Sequence, residues 1–126
     1  MVYTIIQHLT AKDSPDAIDK LKSKLVEASA VFGKDRETLA WIPMQDAVDR
    51  RRFTVVERYR DESSHRYHVE NPYWKTFDPE VNQLLEKPVE LRRCNELDTS
   101  GNGAGAHYHE DARGDTSVTT MYADSV

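Results

Sequence analysis

Two histidines three residues apart, His65 and His68, are the groups in this chain best suited to moving a proton. Imidazole has a reference pKa of about 6.5, so it takes up or releases a proton near neutrality. On a helix the two would share a face, and they read as a relay or as two metal ligands. A metal ion wants a third and usually a fourth ligand, and no Glu-x-x-His or Cys pattern supplies one. The plainer reading is of partly exposed helix histidines, solvated or bonded to a backbone carbonyl.

Other side chains could bind rather than react. Gln7, in an apolar segment, can donate a hydrogen bond to a carbonyl, because a buried amide must find a partner. Trp41, Tyr73 and Trp74 offer flat apolar walls suited to a planar aromatic molecule, whereas Phe77, at helical spacing, is expected in the core. Glu57 and Arg58 are adjacent on an expected strand and so point to opposite faces, where one or both can serve as interface charges. Arg92, on the last expected strand, can pair with an anion, with a surface role as the alternative.

The elements that must position these groups follow from hydrophobic spacing. Residues 2–9, VYTIIQHL, form a breaker-free β-branched and aromatic run that predicts a buried strand. Ser14 is placed to cap a helix, with Pro15 in its first turn and Asp16 and Asp19 near its positive end. Ile18, Leu21, Leu25, Ala28 and Phe32 then repeat as one apolar stripe, and Gly33 follows as the stop. Thr38 to Asp46 and Arg52 to Arg60 predict a hairpin turning at Ala47-Val48-Asp49. Pro43, which cannot donate to a ladder, marks the first of these as an edge strand or a bulge. A second helical region starts at Asp61, breaks at Asn71-Pro72, and resumes through Trp74, Phe77, Val81 and Leu84-Leu85 until Pro88. Val89 to Leu97 closes the domain as a strand.

This β-α-β-β-α-β order predicts a ferredoxin-like α+β fold, a four-stranded antiparallel sheet with both helices on one face. Both faces of the first strand carry apolar groups, which a sheet wet on one side would not need. A second copy of the chain is the simplest cover, so a homodimer is expected.

At 126 residues with 38% hydrophobic content, the chain supports one modest core. Residues 1–97 hold 16 Lys/Arg against 17 Asp/Glu, while residues 98–126 hold one against five. A domain so nearly neutral lacks the basic field that drives nucleic-acid binding. Residues 98–126 begin Asp-Thr-Ser-Gly-Asn-Gly and read as a flexible acidic tail, the alternative being that residues 117–122 dock as an extra strand on a sheet edge, such as a partner subunit's. Its His107-Tyr108-His109 would bind metal only adventitiously. The sequence opens without a basic lead or cleavage site, and nowhere do about 18 apolar residues run together. With a single cysteine, Cys94, unable to form an internal disulfide, a cytoplasmic protein off the membrane is expected.

Val56-Glu57-Arg58-Tyr59-Arg60-Asp61-Glu62, then His68, then Asn71-Pro72-Tyr73-Trp74-Lys75-Thr76-Phe77 resemble the antibiotic biosynthesis monooxygenase family. Gln7-His8-Leu9-Thr10-Ala11-Lys12 and Lys87-Pro88-Val89-Glu90-Leu91-Arg92-Arg93 add to the likeness, which covers residues 2–97. The resemblance implies a dimeric α+β barrel in which two sheets pack face to face, and a pocket in each subunit between sheet and helices. It implies a histidine at the end of the helical segment facing that pocket, which is where His68 stands. Members include cofactor-free oxygenases of quinols and aromatic polyketides, haem-degrading enzymes and isomerases, so the fold alone does not name the reaction. The haem-degrading branch uses an Asn, a Trp and a His; those places fall at Gln7, His68 and Asp78, which argues against haem breakdown. A Gly-Cys pair common before the second strand is replaced near Arg36-Glu37-Thr38. The expectation is a cofactor-independent monooxygenase of a phenolic, quinol or polyketide metabolite, with molecular oxygen as co-substrate and His68 as base. An isomerase, cyclase or decarboxylase working without oxygen, or a non-catalytic ligand-binding dimer, are the alternatives.

Overall fold

The computed structural model describes residues 1–99. The chain separates into two units, Met1–Glu96 and Leu97–Val126. The acidic tail from residue 100 on, with the strand over residues 117–122 and His107-Tyr108-His109, lies outside the described residues.

The first strand, β1 (Tyr3–Thr10), leads into helix α1 (Pro15–Phe32). The Ser14 hydroxyl accepts the Ala17 amide at 3.2 Å, supplying the N-cap, and Ile18, Leu21, Leu25, Ala28 and Phe32 are all buried. Gly33 closes the helix with its amide on the Ser29 carbonyl at 3.0 Å. Strands β2 (Thr38–Gln45) and β3 (Arg52–Tyr59) form the hairpin. Its turn is fixed by Asp46, whose Oδ2 accepts the Val48 and Asp49 amides at 2.9 and 2.7 Å. After a single 3-10 turn, Glu62–Ser64, come α2 (His65–Val69), the break at Asn71-Pro72, α3 (Trp74–Leu84) and β4 (Glu90–Asn95).

The sheet order is β2-β3-β1-β4, every neighbouring pair antiparallel. Each helical crossover therefore joins strands that run the same way with a third between them. Pro43 sits on the edge strand, paired with Val55, and the register shifts between Thr38 and Ala40. Alternation puts Tyr3, Ile5, Gln7 and Leu9 with Phe53, Val55, Glu57 and Tyr59 under the helices. There Leu9, Phe53 and Val55 pack with Leu21, Leu25 and Phe32 of α1 and with Phe77 and Val81 of α3. The opposite face has no such cover within the described residues: Ile42 is 46% exposed and Met44 44%.

One backbone position departs from the expected. Glu37 has φ of 61°, the left-handed region where a side chain costs roughly 1–2 kcal/mol and glycine nothing. This is the stretch where the Gly-Cys pair of the resembled family is replaced. Its carbonyl accepts the Arg60 amide at 3.0 Å, and its carboxylate accepts the buried Ser64 hydroxyl at 2.8 Å. Those bonds hold the turn in place.

Candidate functional site

A cavity of about 360 Å³ lies between the sheet and α3. A row of side chains runs across the sheet at this level. Trp41 of β2 pairs with Glu57 of β3, Glu57 with Ile5 of β1, and Ile5 with Arg93 of β4, all on the helix face. Neighbouring strands are roughly 4.8 Å apart, so the backbones carrying Glu57 and Arg93 are separated by about 10 Å with apolar Ile5 between. Glu57, Ile5 and Arg93 line the cavity, as do Gln7, Leu9, Val89 and Leu91. Over them stand His65 and Val69 of α2 and Trp74, Phe77, Asp78, Val81 and Asn82 of α3.

Glu57 is the centre of this arrangement. Though charged, it is only 2% exposed. Its Oε1 accepts from Trp41 Nε1 at 3.1 Å and from the Tyr59 hydroxyl at 2.7 Å, and its Oε2 accepts from the Gln7 amide. His68 Nε2 lies 3.2 Å from the same Oε1, an ion-pair distance without the alignment of a hydrogen bond. The other ring nitrogen, Nδ1, is 3.2 Å from Asp35 Oδ2. Asp35 sits in the turn after α1, and its second oxygen accepts the Asn71 amide at 2.6 Å. The helix break is therefore structural: Asn71 clamps the α1 turn, and its own carbonyl oxygen accepts the Tyr73 amide at 3.0 Å where α3 begins.

Electrostatics follow from this packing. Burial is the largest single influence on Glu57 and pushes its pKa up. His68, Tyr59 and Gln7 together outweigh it and hold the carboxyl below its ordinary value. The Tyr59 phenol is pushed strongly upward, first by burial and then by the Glu57 charge, so it stays a donor. Burial, then the nearby His68, lowers the His65 imidazole, leaving it neutral at pH 7 with a lone pair to offer. The Trp74 indole N–H is buried and has no acceptor among the described residues.

Of the residues singled out from the sequence, Gln7, His65 and Trp74 line the cavity, and so does Asp78. His68 does not: it is 1% exposed, packed edge-on against Phe32 and Trp74 at ring separations of 4.3 and 4.9 Å, and reaches the cavity only through Glu57. Trp41 acts from behind, as a donor to Glu57. Tyr73 is turned away, its hydroxyl donating to Glu27 at 2.6 Å and Lys24 standing over its ring. Phe77 is in the core and also forms cavity wall. Arg92 pairs with Ile6 and so belongs to the bare face, and the arginine on the cavity side is Arg93. Glu57 is a core group rather than an interface charge, whereas Arg58 on the other face forms a two-point ion pair with Glu96 at 2.7 and 2.8 Å. Glu57 was signalled by its place in the run Phe53, Val55, Glu57, Tyr59, where every other member is apolar or aromatic. Asp35 lies in a turn and carried no periodic signal. No group of three or more His, Cys, Asp or Glu side chains is arranged to hold a metal ion among the described residues, and no helix there is long and apolar enough to cross a membrane.

This fold is shared with solved structures described as antibiotic biosynthesis monooxygenases. Among similar solved structures, Rv0793 from Mycobacterium tuberculosis superposes with a TM-score of 0.70 at 21% identity, over 79% of this chain and 99% of its own. SnoaB, a cofactor-independent oxygenase from Streptomyces nogalater, matches with a TM-score of 0.67 at 11% identity, over 78% and 95%. A third structure, described as an antibiotic biosynthesis monooxygenase, gives 0.67 at 18%, over 78% and 100%. No family model and no curated protein matches the sequence. At these identities the likeness establishes the fold.

Proposed function

We propose that the protein is a cofactor-independent monooxygenase of a hydroxyaromatic metabolite, phenolic, quinol or polyketide. The observation that carries this reading is a buried, ionised carboxylate, Glu57, presented to an apolar cavity of about 360 Å³ walled by Trp74 and Phe77. A flat aromatic fits between sheet and α3 with its hydroxyl at Glu57. The carboxylate accepts the phenolic proton, and Arg93, with the neutral His65 nearby, faces the resulting anion. The anion passes one electron to dioxygen; the substrate radical and superoxide combine to form a carbon–oxygen bond. Breaking the O–O bond leaves one oxygen on the ring and releases the other as water, so one dioxygen is used for each two hydrogens removed. The protein's share is to exclude water and to hold charge in a low-dielectric site. The fold shared with the oxygenase SnoaB supports the same reading. Measuring oxygen consumption with a panel of anthrones and hydroquinones tests it: uptake of one dioxygen per product is expected, and turnover that continues unchanged without oxygen would leave an isomerase, cyclase or decarboxylase instead.

We also propose a homodimer in a cytoplasmic setting. Ile42 and Met44 on the bare sheet face, with half-buried Ile6 and Val56 beside them, form an apolar surface that a second copy of the same sheet would cover.

A further inference from the structure

Arg93 lines the cavity from the edge strand β4 and is exposed, yet among the described residues it has no ion pair. Arg50, Arg51, Arg52 and Arg58 all meet a carboxylate, at 2.7 to 3.8 Å. The cavity continues past Arg93: a second, more open hollow shares His65, Val69 and Arg93 with it and is lined also by Tyr3, Glu62 and Arg66. Two guanidiniums there face the single carboxylate of Glu62, so the charge is positive. His65, kept neutral above all by burial, can add an N–H for an oxygen anion to accept. Two large apolar side chains of the cavity wall, Val69 of α2 and Leu91 of β4, are each 55% exposed, and the apolar surface runs on to solvent beside Arg93.

We propose that Arg93 is a specificity-determining residue: the substrate is a hydroxyaromatic acid whose carboxylate lies on the Arg93 guanidinium while its hydroxyl points to Glu57. The inference rests on the reading of the cavity as the site of a hydroxyaromatic, with Glu57 as the proton acceptor. A guanidinium offers a fork of N–H donors that a carboxylate meets at two points, and the carboxylate supplies the opposite charge that this arginine lacks. The reverse orientation sets the ligand's carboxylate against Glu57, anion on anion in a site with little water, so the two ends of the ligand are told apart. Glu57 and Arg93 stand on the same sheet face with one strand between them, a span that a fused two-ring system with a substituent at each end can bridge. Conjugation through those rings also leaves Arg93 beside the anion that forms when Glu57 takes the proton.

Isothermal titration calorimetry of the full chain with 6-hydroxy-2-naphthoate and with 2-naphthol tests this without turnover. The wild type should bind the naphthoate about 10- to 100-fold more tightly, the range for one charge-assisted contact. In Arg93→Gln that preference should shrink to about twofold or less while 2-naphthol binds as before, and Arg93→Lys should keep part of it, because the charge survives and the two-point geometry does not. Arg92→Gln removes the same charge from the opposite sheet face and should leave the preference intact. The proposal is overturned by binding of neither probe, by a wild type without the preference, by a preference that survives in Arg93→Gln, or by one lost equally in Arg92→Gln. Equal weakening of both probes in Arg93→Gln also overturns it, since that is the mark of a structural role. Oxygen consumption is read separately. An Arg93-dependent preference with no oxygen uptake from any hydroxyaromatic removes the monooxygenase reading and leaves the carboxylate site standing, and oxygen uptake without that preference removes only the carboxylate site.

Discussion

The two faces of the sheet treat charge in opposite ways. Under the helices, Glu57 lies 2% exposed with three hydrogen-bond donors and an imidazole on its two oxygens. On the other face Arg58, the next residue, meets Glu96 in a pair whose side chains keep 29% and 33% of their exposure. Adjacent residues of one strand thus occupy different dielectric worlds. Ion pairs near water contribute little, whereas a buried carboxylate is tolerable only while every partner is present. The charge that is hard to bury therefore marks the site, and the easily solvated one marks the surface.

Removing Glu57 should break this contrast most forcefully. Glu57→Ala leaves Trp41, Tyr59 and Gln7 without their acceptor and His68 without the carboxylate beside its Nε2, and urea unfolding should show a loss of about 3–5 kcal/mol together with loss of turnover. Glu57→Gln, which keeps the shape, should lose turnover with a smaller stability change. Next comes the apolar part of the bare face: Ile42→Asp places a charge where a second copy would pack, and sedimentation at micromolar concentration should show monomer where the wild type shows dimer, with the dissociation constant raised about 100-fold or more. A monomeric wild type would remove the dimer reading.

The pH dependence sharpens the contrast further. His65 titrates lower in the fold than in the unfolded chain, so the unfolded state binds the proton more readily. Its stability contribution is complete above about pH 6.5, the unfolded value, and is lost as pH falls toward the lower folded one. Urea midpoints at pH 7.5 and 5.5 should therefore fall on acidification, and fall less in His65→Gln. Smaller still is Arg58→Ala, expected to cost less than about 1 kcal/mol despite its two-point geometry. The smallest effect should come from Glu37→Gly. Relief of the left-handed strain, roughly 1–2 kcal/mol, is offset by loss of the Ser64 hydrogen bond and by the added freedom of glycine in the unfolded chain, so thermal unfolding should give a net change within about 1 kcal/mol.

Periodic elements were open to sequence reading because burial repeats along them. The α1 stripe, its Ser14 cap, the hairpin and the edge position of Pro43 all follow from spacing or from backbone chemistry. The site was open only in part. Gln7, His65 and Trp74 come to the cavity because their elements were placed correctly. Arg92 and Arg93 were not separable, because β4 reads Glu90-Leu91-Arg92-Arg93-Cys94-Asn95 and has too little apolar alternation to show which arginine faces inward. His68 was found for its chemistry, but its depth was not visible, since exposure depends on how Phe32 and Trp74 close around it. Asp35 needs the tertiary fold altogether: it meets His68 from 33 residues away in sequence.

The cavity floor carries a carboxylate on β3 and a guanidinium on β4, set about 10 Å apart at the backbone across one apolar residue. Such a floor has a polarity, and a ligand with one acidic end lies more favourably in one sense than in the reverse. On the proposed reading, regiochemistry is decided on entry: the ring carbon exposed to oxygen is the one left uncovered when the acidic end has found its place. Exchanging the two charges, with Glu57 and Arg93 swapped, would be expected to turn the ligand end for end.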